Sequence, residues 1–134
     1  MIKRLIIIFH IVILGCENAD NFPDTNVNIS IPITMPLYSN VFNGVWNYDY
    51  INGGIGGIII VQALDNQFIA YDRSCTFEAD SECIISGEST NNPILSCTSC
   101  CESKFIIIDG SVTEGPANQA LKRYNTYFDG TILY

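Results

Sequence analysis

The sequence predicts an all-β domain, on three observations. Ile, Tyr and Phe are abundant while Ala, Glu and Lys are scarce, a composition suited to half-buried pleated surfaces. Apolar and polar residues alternate with a period of two in several short runs, and Asp-Gly or Asp-Asn pairs stand between such runs where hairpins would turn. No stretch keeps a helical apolar period over three turns, and no internal repeat is visible.

The elements follow in chain order. Val27, Ile29, Ile31 and Ile33 alternate with polar residues and give a first strand. Trp46, Tyr48 and Tyr50 do the same and would pack one face of a second strand on the core. The competing reading, an exposed sugar-stacking face, requires Trp46→Ala to leave the melting temperature unchanged. Gly53, Gly54, Gly56 and Gly57 then break the chain. No helix follows them, so they do not form a phosphate-binding loop; they suit a turn or bulge. Residues 58–61, an unbroken apolar run, read as a central strand. Asp65-Asn66 turns the chain into a strand over residues 67–71. Residues 105–108 run into the turn Asp109-Gly110, and residues 124–128 pair with 131–134 across Asp129-Gly130.

The N-terminus carries a different signal. Lys3 and Arg4 precede the apolar run 5–14, which is too short to span a bilayer as a helix but suits a signal peptide. It ends in Ile13-Leu14-Gly15-Cys16, which resembles a bacterial lipobox. That resemblance implies removal of residues 1–15 and a lipid on Cys16. The protein would then sit in the bacterial cell envelope, at the periplasmic or outer-membrane face, with the bilayer as its partner through the N-terminal lipid. Residues 16–28 are polar, acidic and contain Pro23, so they read as a flexible tether, leaving residues 29–134 as one domain.

Loss of Lys3 and Arg4 leaves four basic residues against fourteen acidic ones. That balance excludes nucleic acid and the surface of anionic lipids as partners. Loss of His10 leaves no histidine at all. A Ser-His-Asp or Cys-His dyad is then excluded, as is an imidazole-held metal, and the chain is expected not to be an enzyme. Asp80 and Glu82, flanking Cys83, and Asp72, beside Arg73, read as parts of a solvated acidic loop.

The second half of the chain carries a family pattern. Ser103-Lys104-Phe105, the turn Asp109-Gly110, the loop Gly115-Pro116-Ala117, and apolar Leu121 and Tyr124 follow one another at set spacings. Upstream, the strands over 58–61 and 67–71 lead into Cys75. Across residues 41–134 this resembles a Rieske iron–sulfur domain. The resemblance implies a small antiparallel β-sandwich or barrel, two cluster-binding loops, a proline loop over them, and electron transfer.

The ligand positions depart from it. The family's loops read Cys-x-His and Cys-x-x-His-Gly-Ser, giving two thiolates and two imidazoles. Here Cys75 keeps the first position, but Phe77, Thr98 and Cys101 occupy the other three, and Glu102 replaces the glycine. A phenyl ring cannot ligate iron, and a threonine hydroxyl suits a soft cluster poorly. No cofactor is therefore expected, and two other loops stand in for the cluster-binding ones.

Five cysteines remain after Cys16, in an oxidising compartment. The resemblance implies a disulfide between the loops, for which Cys83 and Cys100 are the nearest counterparts. Cys75–Cys101 would be a second clip, with Cys97 the odd thiol. The competing reading is a zinc or [2Fe–2S] thiolate centre built on Cys97, Cys100 and Cys101, completed by Cys75 or Cys83. The expected function is a structural or interaction module with a protein partner in the envelope; the alternative is an electron carrier or redox sensor.

Overall fold

The computed structural model describes residues 22–80, 82–88 and 92–134. The expected signal peptide, Cys16 and the first part of the expected tether lie outside the described residues. Ten short strands form among the described residues: β1 (Ile31–Pro32), β2 (Tyr48–Ile51), β3 (Ile58–Gln62), β4 (Phe68–Asp72), β5 (Ser86–Gly87), β6 (Ile94–Ser96), β7 (Lys104–Ile106), β8 (Val112–Glu114), β9 (Arg123–Tyr124) and β10 (Ile132–Leu133). Helical structure among the described residues is limited to three single turns of 3-10 type, at Pro36–Tyr38, Asn40–Phe42 and Leu64–Asn66. The protein is all-β.

Among the described residues all pairing is antiparallel, in three sheets of order β1-β10, β2-β3-β4-β9 and β5-β6-β7-β8. None of them closes into a barrel. The apolar run of β3 explains how they stack. Side chains alternate across a strand, so Ile59 and Val61 enter one core while Ile58 and Ile60 enter another. The first core joins β3 and β4 to Ile85, Leu95, Phe105 and Ile107 of the β5–β8 side. The second joins the same strands to Ile31 and Leu133 of the β1-β10 ribbon. A strand buried on both faces has no polar side, and each large side chain so buried contributes about 1.5–3 kcal/mol.

Both hairpin turns form where expected. Gly110 N–H donates to Ile106 O at 2.8 Å, and Tyr127 and Tyr134 exchange two backbone hydrogen bonds around Asp129-Gly130. The first strand is shorter than its alternation suggests: Ile31 and Pro32 pair with Leu133 and Ile132, and Ile33 N–H donates to Thr131 O just beyond them. Val27 and Ile29 nevertheless pack against the second core. The aromatic face over Trp46, Tyr48 and Tyr50 is only partly realised. Trp46 lies before β2 in the left-handed region, with φ of 66°, and packs with Tyr48 against the first core. Tyr50 is exposed beneath Arg73, whose guanidinium sits 4.0 Å from its ring centroid. The inward residues of β2 are Asp49 and Ile51; Asp49 accepts hydrogen bonds from Val41 N–H and Asn40 Nδ2.

Asp72, at the end of β4, is fully buried. One carboxylate oxygen accepts from Ile55 N–H at 2.7 Å and Tyr124 O–H at 2.7 Å. The other accepts from Ser74 N–H at 2.8 Å and Gly56 N–H at 3.1 Å. The glycine-rich segment is thus folded around a carboxylate. Gly54 has φ of 61°, and a Cβ there would meet Asp72 Oδ2 at 2.1 Å, so only glycine fits.

The described part of the expected tether lies along the domain. Phe22 is buried beside Thr76, Phe77 and Pro116, Asp24 pairs with Lys122 at 2.7 Å, and Thr25 Oγ1 meets Tyr124 Oη at 2.8 Å.

Two tyrosines set an alkaline limit. Burial raises Tyr71 from 10.0 to about 12, and burial raises Tyr124 to about 12, with Asp72 adding to it. Groups raised in the folded state stabilise it fully below their unfolded value and lose that contribution as pH rises through the folded one. Urea midpoints should therefore hold up to about pH 10 and fall steadily between pH 10 and 12. A flat profile over that window would show that both hydroxyls ionise as freely in the fold as in the unfolded chain.

Candidate functional site

Three loops meet at one end of the molecule. The first leaves β4 and is pinched by Cys75 N–H donating to Cys83 O at 2.7 Å and Ile85 N–H donating to Arg73 O at 2.6 Å. Asp80 shapes its tip: its carboxylate accepts from the N–H groups of Glu82 and Cys83 at 2.7 and 2.8 Å. Those two N–H groups hold the Asp80 carboxyl below its ordinary value. Asp80 is a turn cap, and no carboxylate pair faces a pocket there.

The second loop joins β6 to β7. Glu102, standing where the resemblance has glycine, adopts φ of 57°. A Cβ in this region costs about 1–2 kcal/mol. Glu102→Gly should accordingly raise the unfolding free energy by about 0.5–1 kcal/mol, the gain net of glycine's greater unfolded freedom. Urea denaturation checks this, and a loss of stability would mean that the Glu102 side chain holds the loop.

The third loop, Gly115-Pro116-Ala117, closes over the second. Ala117 N–H donates to Ser103 Oγ at 3.0 Å, and a Cβ at Gly115 would meet Ser103 Cα at 2.5 Å. It also meets the first loop, where Thr76 Oγ1 donates to Gln119 O at 2.6 Å.

The cysteines divide into two groups at this end. Cys83 and Cys100 form a disulfide with Cα atoms 5.6 Å apart, tying the first loop to the second. The sulfurs of Cys75, Cys97 and Cys101 all lie within 4.8 Å of one another, and these three are free thiols. One expectation is corrected. Cys75 and Cys101 are not bonded: their sulfurs stand 3.2 Å apart, in contact but well beyond a disulfide length. Cys97 is a free thiol, as expected of the odd cysteine. Two residues after Leu95, it continues the inward face of β6 and meets the other two. The four-sulfur set Cys75, Cys97, Cys100 and Cys101 is correspondingly reduced to three, because Cys100 is committed to its disulfide.

The trio is electrostatically uneven. Cys75 and Cys97 are fully buried, while Cys101 is partly open. Burial pushes the Cys75 thiol up to about 12, against a hydrogen bond from Phe77 N–H. Burial also opposes ionising Cys101, but hydrogen bonds from Ser103 and Cys75 outweigh it and hold that thiol below its ordinary value. Between Cys75 and Cys101, Cys101 is the first to become a thiolate.

The other positions marked by the resemblance lie outside the trio. Phe77 is 48% exposed, and Thr98 is exposed. Neither offers a metal donor of the required kind, so the side chains present do not fit a cluster held by two imidazoles. Compared with known proteins, the chain matches no family model, and no curated protein matches it significantly.

Proposed function

We propose that the chain is a lipid-anchored module of the bacterial cell envelope, built on a Rieske-like frame without the family's histidine-ligated cluster. It works through its loop end as a structural or interaction surface, and it is not an enzyme. The observation that carries this reading is the loop end itself. Three loops converge there, the first tied to the second by Cys83–Cys100, yet Phe77 and Thr98 stand at two of the ligand positions. Exposed Phe77 and Pro116 give that end an apolar contact surface for a protein partner. Iron and acid-labile sulfide, assayed on the full chain isolated from its membrane, should both be absent. Their presence in equal amounts would overturn the proposal.

A second reading, a thiolate centre in an electron carrier or redox sensor, is favoured by one specific observation: Cys75, Cys97 and Cys101 share one small space. Interaction and thiol chemistry can coexist at this end. A photo-crosslinking residue at position 77 should capture a partner in intact cells, while the same residue at exposed Tyr127 should not. Equal capture at both positions would remove the loop end from the interaction reading.

A further inference from the structure

We infer that Cys75, Cys97 and Cys101 form a three-thiolate site for a single monovalent copper ion. The inference rests on the thiolate-centre reading and names its occupant. The donor set is the first argument. Three sulfurs lie within 4.8 Å of one another, and neither imidazole nor carboxylate belongs to the group among the described residues. Soft thiolates select Cu(I), zinc or iron–sulfur clusters. Structural zinc closes a tetrahedron of four protein ligands, and all-cysteine iron–sulfur centres need four cysteines. The fourth sulfur nearby, that of Cys100, is held in its disulfide. A soft ion satisfied by three sulfurs is the one that fits.

The surroundings are the second argument. A buried metal thiolate needs hydrogen-bond donors to spread its charge. Cys75 receives Phe77 N–H, and Cys101 receives Ser103 N–H across the left-handed turn at Glu102. Ser103 Oγ lies 3.1 Å from Cys101 Sγ and can donate once that sulfur is charged. Two of the sulfurs are fully buried, and partly open Cys101 gives the ion its way in. Loading exchanges three thiol protons for one Cu(I), with no change of oxidation state.

The test uses the full chain, purified in detergent under anaerobic conditions without thiol reductant so that the Cys83–Cys100 disulfide persists, and titrated with Cu(I) against a colorimetric Cu(I) chelator. One Cu(I) per chain is expected, with X-ray absorption showing three sulfur neighbours and no nitrogen or oxygen. Cys97→Ser should weaken retention by more than about 100-fold, beyond the 10–100-fold typical of outer-shell changes. Cys101→Ser, at the open edge of the site, should do the same and keeps the test readable if the buried variant folds poorly. Unchanged retention in either variant would overturn the inference. Retention of zinc with four sulfurs would overturn copper and leave the thiolate centre standing. A Cys75–Cys101 disulfide in protein isolated without reductant would overturn both.

Discussion

Asp72→Ala should lower the unfolding free energy by about 3–5 kcal/mol, the largest effect expected of a single side chain in this protein. The buried carboxylate accepts from three backbone N–H groups and one phenol. Removing it leaves the buried N–H of Ser74 and the half-buried N–H groups of Ile55 and Gly56 without this partner, at up to about 1–3 kcal/mol each, the most for Ser74. Asp72→Asn is the sharper test, because it conserves shape. The amide has one acceptor oxygen where the carboxylate has two, and its Nδ2 would face N–H groups that also donate. A melting temperature about 10–20 °C lower is expected for alanine, and a clear fall for asparagine. An asparagine variant as stable as the parent would show that water can replace half of this network.

Loss of the Cys83–Cys100 bond is the second large effect. The bond closes a loop with a sequence separation of 17 residues. In the chain-entropy account, such a loop is worth about 3 kcal/mol through its restriction of the unfolded chain. The Cys83→Ser/Cys100→Ser double variant and the reduced parent protein should show the same lowered urea midpoint. The first loop has little else to hold it to the second, so the thiol trio should loosen as well, seen as faster alkylation of Cys97. Identical midpoints for oxidised and reduced protein would mean that the loops are held by their packing alone.

Much of this fold is legible in the sequence because the relevant signals are local. The unbroken run of β3 announces a strand covered on both faces, and the Asp-Gly pairs announce their own hairpins. The pairing of Cys83 with Cys100 came from a resemblance, since spacing alone does not fix disulfide connectivity. The role of Asp72 was not legible: its four donors come from the glycine segment, the next loop and β9, which only the folded chain brings together. Glu102 hides its left-handed backbone behind a residue type that rarely adopts one. Cys97 did carry a usable signal, the period-two step from Leu95, but the step runs past the end of a three-residue strand.

The docking of Phe22 has a consequence for orientation. Its ring is buried beside the first and third loops, so the chain joins the domain at the thiol end. Five residues separate Phe22 from Cys16, and six fully extended steps reach only about 20 Å. With a lipid on Cys16, that reach sets the greatest distance this end of the domain could stand from the lipid. The thiols would look down at the headgroups instead of out into the periplasm or medium, and whatever meets them would have to be seated in or on the same bilayer.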